Sequence, residues 1–151
     1  WVAPVGRLDK ASEGLLLVTN DSEWAAHIAS PQAHLEKIYH VQAGALVDPQ
    51  ILDSLKKGVR TSDGEWLRAK RVRMLRAGER NTWLEIVLDE GKNRQIRRMM
   101  NYLGIEVLRL VRVAIGLLTL GDLPKGAYRA LTPDEKRALD QSAGPPIGKL
   151  Q

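Results

Sequence analysis

Apolar positions along the 151-residue chain change their spacing several times, and each change marks an element. Leu15 to Thr19 reads as a short buried strand, after which Asp21 and Ser22 open a helix that runs to about Ser30 and stops at Pro31. "EKIYHVQAG" alternates as a strand does, with Ile38 and His40 on one face and Tyr39 and Val41 on the other. Asp48 and Pro49 supply an N-cap and a first helical position. The helix they start buries Ile51, Leu52 and Leu55 and ends at Gly58. "LRAKRVRMLRAG" and "NTWLEIVLDEG" follow as two strands joined by a turn at Gly78, and in the second Leu84, Ile86 and Leu88 alternate with Trp83, Glu85 and Val87.

Residues 93–103 carry the clearest helical period. Ile96, Met99, Met100 and Leu103 share one side, Arg94, Arg97, Arg98 and Asn101 the other, and Gly104 is placed to end the helix. "EVLRLVRVAIG" and "GAYRAL" then read as strands, and "TPDE" opens a last helix with a capping box of Thr132 and Glu135. The tail "SAGPPIGKLQ" has the composition of a linker. No internal repeat is visible. Strands and helices interspersed with hairpin-like pairs predict an α+β fold with a mixed, mostly antiparallel sheet and flanking helices.

Composition adds limits. The length suits one domain, and 44% hydrophobic residues suffice for a core. No apolar run approaches the ~18 residues of a membrane span, so no membrane partner is expected. Without cysteines there are no disulfides, thiolate metal sites or cysteine nucleophiles, which favours a cytoplasmic setting. His27, His34 and His40 lack carboxylate partners at metal-ligand spacing, so no metal is expected. Neither a P-loop nor a dinucleotide fingerprint nor a nucleophile elbow occurs, and no cofactor is expected. Charge changes the picture more. Lys and Arg number 23 against 18 acidic residues, and the excess clusters in "RAKRVRMLR" at 68–76 and "KNRQIRR" at 92–98. That clustering favours a polyanionic partner, nucleic acid above all.

Three segments hold the candidate chemistry. "GRLDKASEGLLLVTND" sets Asp9 in a tight turn with Arg7 two residues before it, and "KIYHV" puts Tyr39 in a strand. In "DEGKNRQIRRMMNYLG" a loop of Lys92 and Asn93 feeds a helix start rich in arginine, a ready anion site. Taken singly, each has an ordinary account: a turn cap, a half-buried strand tyrosine and a solvated basic helix face.

Together, in order and in spacing, these segments and "LRLVRVAIGLLTLGDLPKGAYRAL" resemble the RNA pseudouridine synthases, in the branch of ribosomal small-subunit pseudouridine synthase A and its large-subunit relatives. The resemblance covers roughly residues 3 to 132. It implies a catalytic domain at 1–141 with a central cleft, a flexible tail at 142–151, and isomerisation of uridine to pseudouridine in structured RNA, ribosomal RNA favoured over transfer RNA. By the same resemblance Asp9 is the catalytic residue, Tyr39 stacks near the target base and Arg97 pairs with the catalytic carboxylate. Lys92, Asn93, Arg94, Arg98 and Arg112 are candidates for holding the RNA, chiefly its phosphates. Arg7 either orients the turn or touches RNA, and Ser12, Glu13 and Gly14 shape the loop that presents Asp9. Arg68, Lys70, Arg71 and Arg73 either extend the basic track or form a solvated hairpin. Attack on the sugar, attack on the base and elimination through a glycal all remain open. The competing reading is a non-catalytic RNA-binding module derived from the family. Family members carry a strand ahead of the G-R-L-D loop, and here Trp1 lies five residues before Gly6. A missing strand at one sheet edge is therefore expected, and with it self-association or a partner that supplies the strand.

Overall fold

The computed structural model describes residues 1–145, and within them the predicted periods resolve into ten strands and four α-helices. In chain order these are β1 (Ala3–Pro4), β2 (Glu13–Gly14), β3 (Val18–Thr19), α1 (Ser22–Ala29), β4 (Lys37–Ala43), α2 (Pro49–Lys57), β5 (Val59–Arg60), β6 (Trp66–Leu67), β7 (Arg71–Ala77), β8 (Thr82–Leu88), α3 (Gln95–Tyr102), β9 (Val107–Ile115), β10 (Leu118–Thr119) and α4 (Pro133–Ala143). The main sheet runs β10-β9-β4-β8-β7, with every neighbouring pair antiparallel, and β2 adds to β9 in parallel. The sheet is thus mixed and mostly antiparallel, as the sequence predicts.

Two hydrophobic cores flank the centre of that sheet. The larger gathers Val41, Leu84 and Ile86 from the strands with Leu55 of α2 and Ile96, Met99 and Met100 of α3. The smaller gathers Val5, Leu17, Ile28, Ile115, Leu118 and Leu139, so α1 and α4 close over the β9–β10 end. Thr82, fully buried, is satisfied beside the larger core: its hydroxyl donates to Ala45 O at 2.9 Å and accepts from Val47 N at 3.1 Å. Helix starts follow the caps read from sequence. Asp21 Oδ1 accepts from Trp24 N at 3.0 Å, and Asp48 Oδ1 accepts from Ile51 N at 3.0 Å. At α4 both halves of the capping box form, between Thr132 and Glu135.

Three expectations change. Of Leu15–Thr19 only Val18 and Thr19 pair, with β1, and Val18 is exposed; the stretch buries Leu17 in a core, with Leu15 packed partly buried against it, rather than burying a strand. "GAYRAL" forms no strand: Tyr128 is 92% exposed, and Arg129 is turned onto Glu135 instead of a neighbouring ladder. Ahead of the G-R-L-D loop Ala3 and Pro4 pair with Thr19 and Val18 in a separate two-stranded sheet, not at an edge of the main one. Finally α4 continues through the buried Ala143, past the tail boundary placed after residue 141, while residues 146–151 lie outside the described residues.

The Arg129 guanidinium and the Thr132 backbone N–H hold the Glu135 carboxyl down at about 2. Its folded value lies below its usual 4.5, so its contribution is present at neutral pH and is lost as pH falls from about 4.5 to about 2. Glu135→Gln should flatten the pH dependence of stability across that window, read by denaturant unfolding at stepped pH. Thr132→Ala should lower stability by about 1 kcal/mol at neutral pH in the same assay.

Candidate active site

The loop that presents Asp9 is anchored at its far end. Gly14 pairs with Arg112 in the parallel β2–β9 ladder, Leu15 N donates to Arg112 O at 2.8 Å, and Arg112 Nε donates back to Leu15 O at 2.9 Å. Gly14 has φ +112°, and a Cβ there would lie 2.2 Å from Arg112 O, so only glycine admits this approach. Glu13 accepts two bonds from Arg109 at 2.8 and 3.0 Å, and Ser12 N closes the turn on Asp9 O at 2.8 Å.

Across from the loop stands the start of α3. Gln95, buried, organises it: Oε1 accepts from Lys92 N at 3.3 Å, while Nε2 donates to Arg68 O at 3.0 Å and Glu90 Oε1 at 2.8 Å. Arg94 takes the left-handed conformation, φ 50° and ψ 36°, which a residue with a Cβ adopts at a cost of about 1–2 kcal/mol. From there its Nη1 reaches both Asp9 oxygens, at 3.1 and 2.9 Å. Arg97 Nε donates to Asp9 Oδ2 at 3.1 Å, and its Nη2 donates to Ala11 O at 2.9 Å. The carboxylate, 25% exposed, is thus fixed in position by charge-assisted bonds from the N-cap and the first turn of one helix.

Asp9 opens onto a cavity of about 340 Å³. Its apolar walls come from both cores, with Leu17, Ile28 and Ile115 on one side and Leu88, Ile96 and Leu110 on the other. Tyr39, Arg7, Lys92, Asn93, Arg94 and Arg112 all line it. Most of the predicted site therefore converges on one place.

The basic residues do not all do what was expected of them. Arg94, assigned to phosphate, holds Asp9. Arg98 faces away from the cavity: Nη1 meets Glu65 at 2.6 Å and Asp63 at 3.4 Å, and Nε donates to Asn93 O at 2.8 Å. Arg112 is 6% exposed and lines the cavity, with its Nε bonded to Leu15 O. Lys92 Nζ donates to Trp66 O at 3.1 Å beside Glu65. Lys70 and Arg71 share Glu36, and Arg73 pairs with Glu85. These partners hold both carboxyls below the usual carboxylate range. Part of the hairpin is thereby neutralised, while Arg68 just ahead of it and Arg76 and Arg80 within it are in no ion pair among the described residues, Arg76 lying over the Trp83 ring.

Two cavity-forming residues escaped the sequence reading. Gln95 reads as an ordinary helix residue, and only its burial shows its part. Lys37 begins β4 and lines the cavity, and its ammonium forms no hydrogen bond or ion pair among the described residues. Burial lowers its pKa, with the Arg112 charge adding to the effect and Asp89 opposing it. The sequence signal for Lys37 was its i, i+2 spacing from Tyr39, which puts both on one face of the strand.

Fold and site together define an α+β domain with a carboxylate clasped by arginines over a cleft between two cores. The chain belongs to the RNA pseudouridylate synthase family, which it matches over residues 2–102. A protein of Rickettsia bellii named as an uncharacterized RNA pseudouridine synthase is 40% identical over 131 residues, covering 87% of this chain and 56% of that protein. Ribosomal large subunit pseudouridine synthase E of Vibrio parahaemolyticus is 41% identical over 144 residues, with 86% and 60% covered. Among solved structures, a pseudouridylate synthase crystal structure superposes with a TM-score of 0.81 at 30% identity, over 92% of this chain and 60% of that one. The chain spans little more than half the length of these relatives.

The two arginines on Asp9 differ in setting, the Arg97 side chain being 16% exposed and that of Arg94 50%. Arg97→Ala, which strips a half-buried carboxylate and a carbonyl of donors, should cost about 1–3 kcal/mol of stability. Arg94→Ala should cost less than about 1 kcal/mol. Urea unfolding of the two variants side by side checks the order.

Proposed function

We infer that the chain is the catalytic core of an RNA pseudouridine synthase, which converts a uridine in structured RNA to pseudouridine. The observation that carries this reading is the Asp9 carboxylate, gripped by Arg94 and Arg97 at the lip of a cavity that also contains Tyr39. Ribosomal RNA is the favoured substrate, because the Vibrio relative is named for the large ribosomal subunit. That substrate would put the reaction in the cytoplasm; among the described residues no helix is long and apolar enough to cross a membrane.

The reaction breaks the bond from ribose C1′ to uracil N1 and joins C1′ to C5. N1 ends protonated and the hydrogen on C5 leaves, so atoms and electrons balance with no redox partner. A carboxylate suits such a rearrangement as nucleophile or as proton-transfer group. Bonds from Arg94 and Arg97 aim Asp9 and leave part of its oxygen surface open to the cavity. Tyr39 offers an aromatic face to a base that has left its stack, a step costing a few kcal/mol. The apolar walls from both cores keep water from the detached base, which would otherwise diffuse away. Arg7, exposed and in no ion pair among the described residues, is placed at the mouth to meet RNA backbone.

The test is pseudouridine formation in unmodified ribosomal RNA transcripts, read by carbodiimide-blocked primer extension. Asp9→Asn should cut the rate by at least about 10²–10⁴-fold while filter-retained RNA stays close to that of the parent chain. A primer-extension stop that persists unchanged in Asp9→Asn would refute the assignment.

A further inference from the structure

Among the described residues, two buried side-chain atoms lack a hydrogen-bond partner, Arg112 Nη2 and Ser12 Oγ, and both residues line the cavity below Asp9. Arg112 Nη1 is hardly better placed, reaching Arg7 O at 3.5 Å. Leaving a buried charged donor unmatched is costly, so its far end is held ready for an acceptor. Lys37 adds a second cation without a bonded partner. It opposes Leu88 on one neighbouring strand and Ile115 on the other, two buried residues of the cavity wall, at the point where the two cores meet. Arg112 stands beside Tyr39 on the strand next to Lys37. The floor of the cleft is therefore made of two donors on adjacent strands with apolar walls around them; among its lining residues the one carboxylate is Asp9 at the lip, already bound by Arg94 and Arg97, while Asp89 acts on Lys37 from outside the lining.

We propose that Lys37 and Arg112 form the base-reading floor of the cleft, one donor for each carbonyl oxygen of the target uracil, and so select uracil against cytosine. This rests on the uridine-isomerising reading and supplies its specificity. Uracil carries O2 and O4 on either side of the axis through N3 and C6. A half-turn about that axis exchanges N1 with C5, which is the net motion the reaction needs, and it also exchanges O2 with O4. Two like donors bond the ring equally well before and after the turn. A donor paired with an acceptor would fit only one orientation. Cytosine breaks the symmetry, because its N4 amine turns hydrogens toward a donor and leaves one buried cation unmatched.

The burial that lowers the Lys37 pKa is also what makes a single carbonyl bond there count, since the site competes poorly for water. The unpartnered ends of Lys37 and Arg112 explain why a fold that matches Lys70, Arg71, Arg73 and Arg98 to carboxylates leaves these two without one.

The full chain, isotopically labelled, is titrated with uridine, pseudouridine and cytidine 5′-monophosphates while side-chain NMR signals of Lys37 and Arg112 are followed. Uridine and pseudouridine monophosphates should bind with similar affinity and shift both signals, and the cytidine nucleotide should bind at least about tenfold more weakly. Lys37→Met, which removes no bond within the protein, should melt as the parent does. It should weaken the uridine and pseudouridine nucleotides alike and leave cytidine monophosphate nearly unchanged. Equal binding of cytidine monophosphate, or Lys37 and Arg112 signals that stay still under uridine monophosphate, would overturn the floor assignment even if the chain modifies RNA. Uracil-selective binding in a chain that forms no pseudouridine would sustain the floor and count against the enzymatic reading instead.

Discussion

The site depends on one close approach of backbone to backbone. At Gly14 the chain comes so near to β9 that a methyl group would sit 2.2 Å from the Arg112 carbonyl oxygen and 2.6 Å from its nitrogen. These are backbone atoms in the middle of a nine-residue strand, and they cannot give way as a flexible side chain would. The approach lets β2 join β9 in parallel, ties Leu15 to Arg112 in both directions, and sets the far end of the Asp9 loop against the sheet. Asp9 is then within reach of two arginines that lie 85 and 88 residues away in sequence. A carboxylate on a free loop would have to be ordered by substrate; this one is ordered by the fold.

Charge does a different kind of work than a count of basic residues suggests. The formal charge is +5, yet Lys70, Arg71, Arg73, Arg98 and Arg109 each face a carboxylate. Exposed pairs of this type add little stability. Their effect is to orient side chains and to neutralise the β7–β8 face. Exposed positive charge in no ion pair among the described residues remains at Arg7, Lys10 and Arg68, and also at Lys57, Arg60, Arg76 and Arg80. The two cations in the cleft floor are of a third kind: Arg112 is buried and Lys37 partly buried, and neither is in an ion pair among the described residues.

What the sequence disclosed was mostly local. Asp48 followed by Pro49, Thr132 three residues before Glu135, and the Ile96, Met99, Met100 stripe are patterns whose physics acts within one or two turns, and the structure follows them. The family motifs carried the rest of the site, Asp9, Tyr39 and Arg97 included. Failures came where a partner far along the chain decides the outcome. "GAYRAL" has the composition of a strand, yet it pairs with neither edge of the main sheet, β10 or β7. Leu15 to Val18 is apolar throughout, yet only Leu17 is buried in a core and Leu15 packs partly buried against it, while Leu16 and Val18 are exposed. Arg98 sits one residue from Arg97 on the helix and meets Glu65 instead of the cleft, a choice made by the β5–β6 hairpin. Lys37 looks like any strand-opening lysine until β8 and β9 close on both sides of it.

A single irregularity in the β4–β9 ladder explains why the cleft has the floor it does. Ile38 pairs with Ala114, and a regular antiparallel ladder would then set Tyr39 opposite Val113. The register slips at that step, and Tyr39 faces Arg112. Because directly opposed residues share a face, the slip moves Arg112 from the side of His40 to the side of Tyr39. Without it Arg112 would point to the face where His40 meets Glu85, and the cavity would present Val113 in its place. Lys37, two residues from Tyr39, is on the cavity face in either register. Alternation in "RLVRVAIG" contains no sign of the slip, since Val113 and Ala114 would suit either face. The bulge turns a strand of ordinary apolar period into one that puts a buried guanidinium beside the aromatic ring, and the chemistry of the cleft follows from that displacement of one residue.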